Sequence, residues 1–351
     1  MKLATYKDGS RDGQLVVVSR DLSQAHYANG IASRLQQVLD DWGFLSPQLE
    51  ELYTSLNHGK LRHAFNFDPK QCMAPLPRAG QWLRGSAYLR HLQLLRQARG
   101  ETGDAGLDLD PLLVQGASDD FRGPCEPGRF ASEAMGIDFE AGLAAVTGDV
   151  EQGVTPAQAL EGVRLLMLCN DWSLRQLQAS EQAKGQGALQ SRPAVAFSPV
   201  AVTPDELGAA WSGGRVDLSL QTMWNGRKVG QCDAGPEMGF HVGQLIAHAA
   251  KTRRLRAGCV IGTGPVSNKD ASRGYSCIAE KRALETLDGG APKTAYMKFG
   301  DTVRIEMKGR DGLSLFGAID LDVMSVHDED PSDEAPSTPD ASAEHVADAA
   351  D

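Results

Sequence analysis

The sequence predicts an α+β fold, and three observations lead there. Short apolar strands crowd residues 195–324, helical periodicity is confined to a few stretches, and the order strands, few helices, more strands lacks the alternation of a parallel sheet. A small mixed unit comes first, with a strand at 15–18 and helical spacing over 31–42, and Pro75-Leu76-Pro77 then punctuates the chain. A helix over 88–99 closes at Gly100, and a loop rich in Asp, Gly and Pro runs over 100–129. An alternating strand over 137–146 follows. Residues 155–178 hold helical signals, with Thr155 as cap and Pro156 in the first turn. Strands are expected at 195–202, 216–224, 259–263, 302–307 and 313–324, with Asn225-Gly226 as a hairpin turn. One more helix, over 240–254, gathers Lys251, Arg253 and Arg254 at its C-terminal end, where the dipole favours them, and stops at Gly258. The expected organisation is a small N-terminal domain over 1–75, a catalytic domain over 76–326 and an acidic, disordered tail over 327–351.

Composition bounds the function. With 41% apolar and 23% charged residues, a sizeable core can form. No apolar run approaches the roughly 18 residues of a membrane helix, and the start shows no export signal, so a cytoplasmic location is expected. Net charge is −11, but nine acids and no Lys or Arg fall in 328–351, which leaves 37 acids against 35 bases in the body. That balance gives no electrostatic reason to expect nucleic acid or an anionic membrane as partner. The six cysteines have no Cys-x-x-Cys or zinc-knuckle spacing and read as buried reduced thiols.

Single motifs are weak. Gly262-Thr263-Gly264-Pro265-Val266-Ser267 begins like a dinucleotide loop, but Ser replaces the third Gly and Pro265 offers no amide to a phosphate. There is no Gly-x-Ser-x-Gly elbow. His241 and His248 lie about 10.5 Å apart along a helix axis, too far to share a metal ion. In Asp138-Phe139-Glu140, alternation places both acids on one strand face, either as a cation site or as a solvated face, and the pattern alone favours the solvated face. Asp171 beside its apolar run reads about equally as a ligand, or as a helix cap or an ion-paired surface acid.

A set of passages taken together is more specific. Pro77-Arg78-Ala79-Gly80-Gln81-Trp82, Gly85-Ser86-Ala87-Tyr88 leading to His91, Gln115 to Phe121, Gly136-Ile137-Asp138-Phe139-Glu140, Asn170-Asp171-Trp172-Ser173-Leu174-Arg175, Phe197 to Gly208 and Ser276-Cys277-Ile278-Ala279-Glu280 resemble the fumarylacetoacetate hydrolase family. The resemblance spans residues 1 to about 325. It implies a mixed β-sheet roll behind a small N-terminal domain, a homodimer, Mg or Mn as cofactor, and a small anionic keto-acid substrate. The implied reaction is hydrolysis of a carbon-carbon bond in a 1,3-diketo acid or acylpyruvate. A metal-free lyase or tautomerase on oxaloacetate-like acids, or a non-catalytic relative, are the alternatives.

Carried over by position, His91 matches the general base, Glu140 and Asp171 match metal-ligand carboxylates, and Arg175 and Gln178 match substrate contacts. The departures are Arg84 where the family has its first ligand Asp, Gly142 where it has the second Glu, Arg192 in place of a lysine, and Pro265 in place of a substrate-facing Thr. Arg84 is expected to take the cation's place and fork onto Glu140 or Asp171, and with Arg192 to bind substrate carboxylates. Alternatively Arg84 swings to solvent and the two acids bind metal weakly, or one buried acid is protonated. Restoring Arg84→Asp with Gly142→Glu is expected to rebuild a Mg or Mn site. His91 has no acid close behind it; Glu101, Asp119 or Asp120 could orient it, or it is an interior histidine with packing duties only.

Overall fold

The computed structural model describes residues 1–102, 106–119, 121–185 and 187–328. Asp120 and nearly all of the acidic tail lie outside these residues. The fold is α+β, as the strand-rich sequence implies: a twelve-stranded mixed sheet packs beside a five-stranded one, with helices at the margins. Along its main path the large sheet runs Phe65–Asn66, Gln24–Tyr27, Gln14–Val18, Lys2–Tyr6, Ala201–Val202, Val163–Asp171, Ala141–Thr147, Cys259–Pro265, Gln81–Gly85, Leu113–Gly116. Lys2 and Leu3 pair antiparallel with Val202 and Ala201, so the N-terminal strands extend the same sheet that carries the cleft described below. The smaller sheet runs Arg227–Asp233, Ser219–Trp224, Thr302–Met307, Ile319–Ser325, Gly128–Phe130.

Alternation along the strands sorts the core into two faces. Leu3, Leu15, Val17, Val146 and Leu165 pack with the helices of the first 60 residues, whereas Ala4, Val16, Val18, Ala145 and Leu166 join the core shared with the smaller sheet. Among the described residues seven helices border these layers: α1 Leu35–Asp40, α2 Trp42–Asn57, α3 Leu89–Ala98, α4 Pro156–Glu161, α5 Arg175–Ala183, α6 Val242–Ala249 and α7 Ile278–Gly289.

Several sequence expectations change: the helix expected over 240–254 spans only Val242–Ala249 and leaves Lys251, Arg253 and Arg254 beyond its end, the strand expected over 313–324 forms at Ile319–Ser325, and the loop expected over 100–129 contains the strands Leu113–Gly116 and Phe121–Arg122. The helical stretch expected over 31–42 starts later and gives way to the sixteen-residue α2, which carries Pro47. The stretch expected as helix over 155–178 is helical only at its ends. Thr155 and Gln158 form a capping box around α4, but from Val163 to Asp171 the chain is a strand buried on both faces, and a continuous apolar run does not reveal its own period. The strand expected over 137–146 is interrupted at Phe139-Glu140, between Ile137–Asp138 and Ala141–Thr147. The hairpin at Asn225-Gly226 forms with both residues at positive φ, 50° and 71°. All six cysteines are free, five of them buried and Cys125 half-buried. No helix among the described residues is long and apolar enough to cross a membrane.

Trp82 knits the centre of the large sheet. Its ring meets Phe121 and Phe197 edge-on with centroids 6.3 and 5.7 Å away, and a side chain at Gly262 or Gly116 would collide with it. Trp82→Ala is expected to cost about 3–5 kcal/mol in denaturant unfolding, because so closed a site cannot collapse onto the void; a loss below about 1 kcal/mol would refute this packing.

Candidate active site

Six backbone segments converge on one cleft of about 280 Å³. The strand Gln81–Gly85 brings Arg84, helix α3 brings His91, and the interruption before Ala141–Thr147 turns Glu140 inward. The strand Val163–Asp171 ends on Asp171, and the chain continues through Ser173–Leu174 into α5, whose first turn holds Arg175 and Gln178. Arg192 follows the loop after α5. All seven residues carried over from the sequence, namely Arg84, His91, Glu140, Asp171, Arg175, Gln178 and Arg192, line this cleft.

Its floor is a lattice of three guanidiniums and three carboxylates. Glu140 is the hub: Oε1 accepts from Arg175 Nη2 at 2.6 Å and from Ser173 Oγ at 3.0 Å, and Oε2 lies 2.6 Å from Arg192 Nη1. Arg175 also donates through Nε to Asp138 at 2.8 Å and through Nη1 to Gln178 at 3.2 Å. Arg192 Nη1 reaches Asp171 Oδ2 at 3.2 Å, where Arg84 Nε donates at 2.6 Å. Burial alone would raise the pKa of Glu140, but Arg192 and Arg175 outweigh it and hold the carboxyl well below its ordinary value of 4.5. Because that pKa is depressed, the pairing contributes fully above about pH 4.5 and is lost only as pH falls through the lower folded-state value. Burial pushes Asp138 up, while Arg175 and the Ile278 and Ala279 amides pull against it.

Arg84 therefore does not swing to solvent, nor does it fork. It holds Asp171 through Nε alone, because both oxygens of Glu140 are already taken by Arg175 and Arg192. Asp138 and Glu140 share a face, but that face is buried (0% and 4% exposed) rather than solvated. Asp171 is not a helix cap; it ends a strand.

Beside this lattice stands His91, itself buried, with Nδ1 3.8 Å from Glu280 Oε2 and 3.9 Å from Cys277 Sγ. Glu280 is the acid that the sequence leaves unidentified. Glu101 instead pairs with Arg96 and Arg99, and Asp119 is exposed. The anchoring is traceable: Asp138 accepts from the amides of Ile278 (2.7 Å) and Ala279 (2.9 Å), fixing the first turn of α7 where Glu280 sits. Sequence distance hid this pairing, although Glu280 belongs to a passage that carries the family resemblance. Burial raises the Cys277 thiol well above its usual range.

The donor set does not fit a magnesium or manganese ion. Such ions ask for about six oxygens, whereas Asp171 Oδ1 is the one oxygen of Glu140 and Asp171 free of a protein donor, and Arg84 brings positive charge against it. Nor does position 142 have room for another carboxylate. A Cβ there would lie 2.4 Å from the Gly264 carbonyl oxygen, because Ala141–Thr147 and Cys259–Pro265 approach closely where their register shifts. Rebuilding the ligand set through Gly142→Glu is thus not accommodated without moving backbone.

Glu181, on α5, escaped the sequence reading. Its carboxylate accepts from the amides of Leu189, Gln190 and Ser191 and from the Ser191 hydroxyl, tying down the loop that delivers Arg192. The Ser191 hydroxyl, joined by these amides, holds its pKa at about 2 against the opposing effect of burial.

Two family descriptions match the chain: fumarylacetoacetase N-terminal domain 2 over residues 1–78, and fumarylacetoacetate hydrolase C-terminal over 81–323. The chain belongs to the fumarylacetoacetate hydrolase family. Among curated proteins no sequence match is found. Solved structures sharing the fold include a fumarylacetoacetate hydrolase from Exiguobacterium antarcticum (20% identity, TM-score 0.62, covering 93% of this chain and 99% of that one). Maleylpyruvate hydrolase from Sphingobium sp. SYK-6, in complex with manganese(II) and pyruvate, is 15% identical (TM-score 0.60, 93% and 99%). The 5-carboxymethyl-2-hydroxymuconate delta-isomerase of Mycobacterium smegmatis is 17% identical (TM-score 0.58, 93% and 99%). Hydrolases and isomerases thus share this architecture, which supports an enzyme of the family without choosing the reaction.

Two outcomes are expected. Gly142→Ala should destabilise the chain by about 1–3 kcal/mol in denaturant unfolding, an overpacking cost; a neutral variant would refute the close approach. Glu181→Ala should speed hydrogen exchange at the Leu189, Gln190 and Ser191 amides by roughly tenfold while leaving the global transition nearly unchanged; unchanged exchange would disprove the tether.

Proposed function

We propose that this cleft binds a small enolisable 2-keto acid, such as an acylpyruvate, without a divalent cation and hydrolyses its carbon-carbon bond. The observation that carries this reading is the pair of guanidinium donors, Arg84 Nη1 and Arg192 Nε, buried in the cleft lining and without partners among the described residues. Planar donors of this kind suit the carboxylate and the adjacent keto oxygen of such an acid.

The chain's own residues then divide the work. The Glu280 carboxylate, 3.8 Å from Nδ1, favours through its charge the tautomer protonated on that nitrogen and so leaves Nε2 of His91 as the base. His91 takes a proton from water, and the hydroxide adds to the acyl carbonyl carbon. As the carbon-carbon bond breaks, its electron pair becomes the enolate of pyruvate, whose oxygen Arg84 and Arg192 stabilise. The proton on His91 returns to the enolate carbon, so that acylpyruvate and water yield a carboxylic acid and pyruvate. Keto-enol isomerisation is a second reading, favoured by one feature: singly charged guanidiniums polarise an oxygen less than a divalent ion does, and proton transfer demands less of them.

The test is turnover of an acylpyruvate by metal-stripped protein in EDTA, following pyruvate release and enol absorbance together. The expected result is pyruvate release that EDTA leaves unchanged, that falls about 10²-fold in Arg84→Gln and that vanishes in His91→Gln. Absorbance change without pyruvate would establish the isomerase, and activity appearing only on addition of Mg or Mn would overturn the metal-independent reading.

A further inference from the structure

His91 lines the cleft, but Cys277 and Glu280 lie on its inner side, and no step of the reaction above uses the thiol. Nδ1 of His91, Sγ of Cys277 and a carboxylate oxygen of Glu280 all fall within 4.8 Å of one another, and all three residues are buried. We propose that this triad is a site for a thiophilic divalent cation, zinc in chemical class, and that its occupation switches the cleft off.

Geometry, donor chemistry and charge argue for it independently. Zinc-nitrogen, zinc-oxygen and zinc-sulfur bonds in a tetrahedron set ligand atoms about 3.3–3.6 Å apart. The imidazole nitrogen stands 3.8 Å from the Glu280 oxygen and 3.9 Å from the sulfur, within a few tenths of an ångström of those spacings, and the sulfur and carboxylate lie within 4.8 Å of each other and must draw together. Glu280 Oε2, in a side chain only 4% exposed, has no hydrogen-bond partner among the described residues and is turned toward this point. The other oxygen of Glu280 accepts from the Ser267 hydroxyl, an outer contact of the kind that orients metal ligands. Imidazole, thiolate and carboxylate select zinc over magnesium or manganese, which prefer oxygen. A thiolate and a carboxylate also cancel the two charges of the ion, giving a neutral buried complex. Three protein ligands leave a fourth position for a water or anion entering past His91.

The switching follows from the tautomer, and this clause rests on the function proposed above. Zinc on Nδ1 takes the place of the proton that the Glu280 charge favours there and leaves the neutral ring protonated at Nε2, so His91 can no longer accept a proton from water.

The binding test does not depend on activity. Metal-stripped full-length protein is loaded with zinc, freed of excess by gel filtration and analysed for metal, and a second sample is titrated with cobalt(II) and read by absorbance. The expected results are one retained zinc per chain and a near-ultraviolet thiolate-to-cobalt charge-transfer band. Cys277→Ala loses the band, and Glu280→Gln weakens zinc retention about tenfold or more. The wild-type cobalt spectrum decides the matter even if a variant fails to fold. No retained zinc, a cobalt spectrum lacking the thiolate band, or retention unchanged in both folded variants would overturn the site. Magnesium binding that depends on Asp171 would instead overturn the metal-independent cleft, and bound zinc that leaves turnover intact would overturn the switch.

Discussion

Glu140 is a buried carboxylate held between two buried guanidiniums, and most of the cleft is arranged to keep that charge satisfied. An ion taken out of water costs several kcal/mol, and geometry must repay it with close partners. Arg175 and Arg192 repay it directly, at 2.6 Å each. Each then needs a second acid, and Asp138 and Asp171 supply it. Arg84 completes the balance at Asp171. Three positive groups thus face three negative ones, and the lattice fixes α5 through Arg175 while Asp138 fixes α7 through its first two amides. The position of Glu280 beside His91 is inherited from the same hub.

Local pattern revealed some of this and concealed some for specific reasons. The α+β class, the helix around His91 and the Asn225-Gly226 hairpin follow from short-range periods and turn chemistry, which the surrounding structure leaves alone. The strand through Leu165, Leu166 and Met167 was obscured because a segment buried on both faces shows no alternation. The seven cleft residues could be placed by resemblance, four of them inside or at the end of a recognisable passage and Arg84, Gln178 and Arg192 by their spacing from one, but their partners could not. Which oxygen Arg84 reaches depends on Arg175 and Arg192 arriving first, and Glu280 meets His91 across 189 positions of sequence. Glu181 gave no signal, because an acid on an exposed helix face looks the same whether or not a loop folds back onto it.

The N-terminal strands matter to the cleft as well. Because Lys2–Tyr6 pairs with Ala201–Val202, which in turn pairs with Val163–Asp171, the sheet that ends at Asp171 is braced from the far side. The first residues are part of the platform on which the acid stands.

The contact between Gly142 and the Gly264 carbonyl has a consequence for the history of such a site. A ligand lost by exchanging one side chain can be regained by the opposite exchange. Once two strands have settled into the space the side chain would need, reversal requires the backbone to part before the new acid confers any benefit. Between this packing and one that admits a carboxylate at position 142 lies a ratchet of that kind, and the guanidinium already seated on Asp171 lengthens it.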